Sequence, residues 1–251
     1  MKYKKQYLTI LTILLLTVPL FSLYLATSSL LSVEIVNTDN NTQYLKPSTL
    51  YTSTIEIDDT DPTKSWLVAK AVGVCTGSGT SGNPYIIANH IFDLPGGICL
   101  DISNSRKFFR IINCTFKAPG MSLGISIINT TNGRLDTNTV RIPFVGLYID
   151  NCSLLRLTNN DFLRCGAPIG IINSDNIDLD SNFINFATAI AINLDNSRDC
   201  DITGNTITNN GMAGIYLDES NSNSLISNTI TNNSNGIYNE NSNHTFISGN
   251  T

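Results

Sequence analysis

The sequence predicts an all-β fold, a single-stranded parallel β-helix built from coils of about 22 residues with three short strands in each. Three observations predict it. Gly214 to Asn235 reads GIYLDESNSNSLISNTITNNSN, and from Gly236 the chain repeats it as GIYNENSNHTFISGNT. Two columns of turn residues recur: Asn129, Asn151, Asn173, Asn196, Glu219 and Asn241, and nine residues later Asn138, Asn160, Asn182, Asn205, Asn228 and Asn250. The steps are 22, 22, 23, 23 and 22 in both columns. Between the turns, apolar and polar residues alternate with the period of two that marks a strand.

In chain order, Lys2, Lys4 and Lys5 precede an 18-residue apolar run from Leu8 to Leu25, followed by the small residues Ala26, Thr27 and Ser28. Residues 1–31 therefore read as a signal peptide or a membrane anchor, and either role exports the remainder. Residues 32–75 are polar and weakly patterned, and read as a linker and N-terminal cap. One strand is expected around Thr54 to Ile57, and a short helix over Ser65 to Ala71. Gly77 to Pro84 is a turn cluster, and Tyr85, Ile86 and Ile87 begin a strand. The β-helix is expected over 76–251. Because Thr251 lies one residue past Asn250, in mid-coil, the chain is expected to continue in a longer protein.

Four apolar columns hold register through the coils and are expected to point inward. They are Ile125, Leu147, Ile169, Ile192, Ile215 and Ile237; Ile127, Ile149, Ile171, Leu194 and Leu217, with Asn239 as the exception; Leu135, Leu157, Leu179, Ile202, Leu225 and Ile247; and Val140, Phe162, Ile184, Ile207 and Ile230. Each buried aliphatic residue contributes roughly 1.5–3 kcal/mol, so a stack of coils folds where one coil does not. A leucine-rich repeat shares the period, and Leu155-x-Leu157-x-x-Asn160 fits its core. That repeat also needs a large aliphatic residue eight before the Asn, where this chain has Thr130, Cys152, Ser174, Ser197, Ser220 and Ser242.

GSGTSGNPYII (Gly77 to Ile87), followed by ITGNTITNN and LISNTITNN, resembles the right-handed parallel β-helix repeat proteins. These belong to the pectate-lyase-like superfamily, which includes NosD-like and other carbohydrate-binding or sugar-hydrolase β-helix domains. The resemblance spans about residues 70–251 and implies a right-handed solenoid, consistent with the general hand of parallel crossovers. It implies polysaccharide as partner, and lyase or glycoside hydrolase activity as the alternative to binding or a structural, adhesive role. Scaffold likeness does not carry activity. The resembled lyases use acidic calcium sites with Arg or Lys, and the hydrolases an Asp trio with His; this chain offers neither arrangement. The NosD likeness suggests copper, but His90 and His244 are distant and the three Met are scattered, which makes no soft-ligand cluster.

With 251 residues, 14% charged, and a formal net charge of −5, the chain has no basic footprint for nucleic acid. An exported location, secreted or at a cell surface, makes six cysteines candidates for disulfides, Cys75 with Cys99 above all. Cys114, Cys152, Cys165 and Cys200 fall at different places in the repeat and read as small buried or turn residues. The second Asn column reads as a structural ladder whose residues take the left-handed backbone of a sharp corner. Outward positions of the first strand carry Tyr148, Asn193, Tyr216 and Tyr238, with Asp195, Asp218 and Glu240 two residues on. Tyrosine beside carboxylate suits carbohydrate, through ring stacking and hydroxyl hydrogen bonds, and stacked acids also suit calcium. On the middle strand, Asp178, Asp180 and Asp201 with Arg156 are the candidate catalytic group, since paired carboxylates perform glycoside hydrolysis.

Overall fold

Alternation within each repeat resolves into three strands per coil. Val145–Asp150, Ser153–Thr158 and Asp161–Leu163 make one coil, and Ala167–Ile172, Asp175–Asp180 and Phe183–Asn185 make the next. Each strand pairs in parallel with its counterpart one coil away: Leu147 lies beside Ile169, Leu157 beside Leu179, and Phe162 beside Ile184. In the computed structural model, which describes residues 49–251, this pairing builds a right-handed solenoid of three parallel eight-stranded sheets. The sheets are called first, second and third in the order in which a coil visits them.

The four apolar columns fill the interior. Leu147, Leu157, Leu179, Ile192, Ile202 and Leu217 are fully buried, so the alternation does set which side chains turn in. At the first coils the filling is aromatic. Phe92 stacks on Phe116 at 4.6 Å and on Tyr51 at 5.2 Å. The six-residue helix Trp66–Ala71 turns Trp66 inward, where its ring stacks on Tyr85 at 4.9 Å and its Nε1 donates to Ser105 Oγ at 2.9 Å. Over the last coil burial fades: Ile237 is only partly buried, and Phe246 and Ile247 are exposed.

The solenoid also recruits residues from the segment read as linker and cap. Thr49–Tyr51 pairs with His90–Asp93 in the third sheet, and Ile55–Asp58 pairs with Ile98–Ser103 in the first. The apolar run expected to be a signal peptide or membrane anchor lies outside the described residues.

Each corner has the same two-residue construction, and it corrects the expected backbone of the Asn ladder. The left-handed residue is the one before the ladder: Thr137, Asn159, Ser181, Gly204 and Ser227 have φ between 53° and 64°. The ladder Asn follows with an ordinary φ and turns its amide inward. Asn138, Asn160, Asn182, Asn205 and Asn228 are buried, and each Oδ1 accepts the backbone N–H one coil back, as Asn205 does from Asn182 at 2.8 Å. Asn250 accepts from Asn228 in the same way at 2.9 Å.

The first corner repeats the device with hydroxyls. Asn129, Asn151, Asn173, Asn196, Glu219 and Asn241 are left-handed, and the residue after each is the ladder rung. Cys152 N–H donates to Ser174 Oγ, Ser174 N–H to Ser197 Oγ, and Ser197 N–H to Ser220 Oγ, at 3.0–3.1 Å. In the third corner Ala187 N–H donates to Asn210 Oδ1, and Asn210 N–H to Asn233 Oδ1.

The six cysteines are free and buried, so the expected Cys75–Cys99 bridge is not formed. Cys114, Cys152 and Cys165 stand at rung positions of the three corners, where a thiol fills the space of Asn or Ser. His90 precedes Ile91, which pairs with Thr115, and so stands level with Cys114 at the rung of the second corner.

Candidate functional site

The outer face of the first sheet carries two parallel columns. Register aligns Asp101, Ser126, Tyr148, Gly170, Asn193, Tyr216 and Tyr238 in one. Two residues on, Ser103, Ile128, Asp150, Ile172, Asp195, Asp218 and Glu240 form the other. All seven residues expected to meet carbohydrate therefore lie on one continuous face, because like positions of successive coils stack about 4.8 Å apart.

The tyrosine geometry differs from a row of open ring faces. Tyr216 and Tyr238 stack on each other at 5.4 Å with 19° between their planes. Each ring thus covers one face of the other and leaves edges and hydroxyls for a ligand. Tyr216 OH donates to Glu240 Oε2 at 2.7 Å, and Tyr148 OH to Asp150 Oδ2 at 3.2 Å. Burial and the bond to Glu240 hold the Tyr216 phenol above its ordinary pKa, so it stays a donor. Gly170 leaves an opening between Tyr148 and Asn193, since a Cβ there would meet nothing nearer than Tyr148 Cδ2 at 4.0 Å.

The acid column is electrostatically crowded. Burial first, and then Asp218, Glu219 and Asp150, push the Asp195 carboxyl above its ordinary value. Asp101 extends the face toward the first coils. It too is raised by burial, and its Oδ1 is buried without a partner. Sequence reading missed Asp101 because 25 residues separate it from Ser126, its partner in register, which breaks the 22-residue count, although the alternation in Ile98–Ser103 carries the signal.

On the second sheet, Arg110, Arg134, Arg156, Asp178 and Asp201 form one outward column. Asp178 and Asp201 are neighbours in register. Arg156, however, ion-pairs with Asp180 at 3.1 Å and donates to Thr158 Oγ1, instead of pairing with Asp178. Asp178 is pushed above the ordinary carboxyl value by burial, then by Asp201.

Metal donors are not assembled among the described residues, where no three His, Cys, Asp or Glu side chains converge. Copper would need thiolate or imidazole clusters. Burial pushes Cys99 and Cys200 up to about 12 and the other four thiols to about 11. His90 Nε2 is 3.0 Å from Val74 O. Among the described residues the donors do not fit copper, and the acid column does not converge into a calcium cage.

Two solved structures share the fold. The A-module of the mannuronan C-5 epimerase AlgE6 from Azotobacter vinelandii is 18% identical, with a TM-score of 0.55 over 65% of this chain and 51% of that one. The enzymatically active domain of tailspike protein 2 from bacteriophage CBA120 is 13% identical, with a TM-score of 0.52 over 82% of this chain and 38% of that one. The chain thus spans about half of the epimerase module and less of the tailspike domain. No curated protein matches it in sequence. Residues 122–251, just over half of the chain, match the family described as periplasmic copper-binding protein (NosD). That match covers the regular coils with their Asn and Ser ladders, and the chain belongs to the NosD family.

Proposed function

We propose that the protein is an extracytoplasmic glycan-binding β-helix whose binding surface is the outer face of the first sheet. The observation that carries this reading is the alignment of Tyr148, Asn193, Tyr216 and Tyr238 beside Asp150, Asp195, Asp218 and Glu240 on one unbroken face. The family's periplasmic description and the N-terminal apolar run support the location. A similar scaffold in the epimerase module is named for mannuronan, a polysaccharide, which supports glycan as the broad ligand class, while the charge of the glycan is argued from this chain's own residues.

The face also narrows the glycan. Carboxylates accept hydrogen bonds from sugar hydroxyls, and a column of them repels polyuronates. Neutral or amino sugars fit best, with hydroxyls meeting the acids and ring C–H groups meeting tyrosine edges or the opening above Gly170. In titration calorimetry against neutral, amino and acidic oligosaccharides, the first two are expected to bind and the acidic one not. Asp218→Asn and Tyr216→Ala are each expected to weaken binding about tenfold, the loss of one or two hydrogen bonds. No saturable heat with any of the three would overturn the assignment.

A hydrolytic reading has one observation in its favour, the raised Asp178 carboxyl beside Asp201. An acid whose pKa is raised keeps its proton to higher pH, so activity that needs the protonated form falls as pH rises through that raised value. Release of reducing ends from polysaccharide, with this basic limb above the ordinary carboxylate range and lost in Asp178→Asn, is the expected result. Identical rates for the variant and the parent would remove Asp178 from any catalysis.

A further inference from the structure

A cleft of about 540 Å³ opens where the third sheet turns into the first, lined by Arg141, Pro143, Leu163, Arg164, Asn185 and Phe186. Its volume lies within the usual range of small-molecule sites. Three features distinguish it from an ordinary groove between coils.

The first is charge without a partner. Arg110, Arg156 and Arg198 each hold an aspartate, but among the described residues neither Arg141 nor Arg164 has a side-chain ion pair or hydrogen bond. Two unpaired guanidiniums line one cleft in a protein of net charge −5. The second is an apolar wall. Phe186 is 53% exposed, and it stands with Leu163 and Pro143 beside those cations.

The third is backbone. Arg164 and Phe186 are both left-handed, with φ 58°, at the corner place taken in the next two coils by Asn209 and Asn232. Asparagine occupies that conformation readily, whereas large side chains do so with strain. The chain therefore keeps two unfavourable residues in succession at this one stretch of the corner, and both line the cleft. Strained residues of this kind gather at binding sites.

We infer that this cleft binds an organic oxyanion: a carboxylate, phosphate or sulfate group held by Arg141 and Arg164, on a ring that packs against Phe186 and Leu163. The planar guanidinium fork matches all three groups through paired N–H donors. The site lies on a different face from the tyrosine and acid columns and does not depend on them.

Ligand-observed NMR and calorimetry on the full chain with phenyl phosphate, galacturonate and inorganic phosphate test the inference. At least one ring-bearing anion is expected to bind saturably and more tightly than inorganic phosphate. Which of the two binds better separates a phosphoryl ligand from a carboxylated sugar. The double variant R141Q/R164Q is expected to weaken that binding about tenfold or more. Phe186→Asn is expected to weaken the ring-bearing anion about threefold, leave inorganic phosphate unchanged and keep or raise the melting temperature. Absence of saturable binding by all three probes overturns the inference, and so does binding that survives unchanged in a folded R141Q/R164Q variant.

Discussion

Replacing Asn205 by leucine is expected to destabilise the protein by about 2–4 kcal/mol, the cost of leaving buried polar groups without partners. Asn205 is fully buried and makes five hydrogen bonds through one amide. Its Oδ1 accepts Asn182 N–H at 2.8 Å and Asn182 Nδ2 at 3.0 Å, and its Nδ2 donates to Leu179 O at 2.9 Å, to Asn228 Oδ1 at 3.0 Å and to Thr203 O at 3.2 Å. Leucine has the same branched arrangement of heavy atoms, with bulkier methyl groups, but neither donor nor acceptor. The backbone N–H of Asn182 and one rung on each side then lose their partners in a place water does not reach. Heat melts followed by circular dichroism should show a drop of roughly 5–10 °C in Tm. Because a solenoid unfolds by neighbouring repeats, the loss is expected to be accompanied by a broader transition. A Tm within a degree of the parent would mean that the ladder does not support the stack. Asn205→Asp and Asn205→Ser retain an acceptor and should fall between the two.

Gly146→Ala is expected to cost about 1–3 kcal/mol by overpacking, whereas Gly170→Ala costs almost nothing. Both glycines lie in the first sheet, and neither has the positive φ that would demand glycine. Their difference is what a methyl group meets. At Gly146 the added Cβ would lie 2.6 Å from Pro168 O and 3.1 Å from Phe162 Cδ1. The first of these is backbone of the next coil, so relief requires the two coils to separate and disturbs the strand pairing beside Leu147 and Ile169. At Gly170 the nearest atom would be Tyr148 Cδ2, at an ordinary contact distance of 4.0 Å. The comparison tests coil spacing directly, through urea or heat denaturation of the two variants. Equal stabilities would show that the coils can shift apart freely at this corner, against the close approach the structure has there.

The same coil spacing explains why carbohydrate contacts could be named from sequence while their geometry could not. Tyr216 and Tyr238 occupy equivalent repeat positions, so their adjacency follows from counting 22 residues. Whether their rings open toward solvent or close on each other depends on how two side chains share about 4.8 Å of axial rise, and they close. Arg156 gives a parallel case. It sits beside Asp178 in register, yet its long side chain reaches diagonally to Asp180, where Thr158 supplies a second bond.

By itself the sequence determined the inward columns, the coil length, the three strands and the ladder Asn residues, because alternation and a fixed repeat are local patterns that stacking merely multiplies. Tertiary structure alone decided the rest. The left-handed residue precedes each ladder Asn because the amide must turn inward from an ordinary φ to reach the next coil. Serine and cysteine form a second ladder because short side chains at the first corner reach only their own axial neighbours. Thr49–Tyr51 joins the third sheet without any repeat signature, and the strand expected around Thr54 to Ile57 forms as Ile55–Asp58 and is taken into the first sheet, since an open strand edge selects for hydrogen bonding rather than for sequence. The cleft of Arg141, Arg164 and Phe186 draws on two adjoining repeat positions in three successive coils, so the count places its residues side by side, but that their side chains enclose a cleft and leave both guanidiniums unpaired among the described residues is decided by how the corner packs.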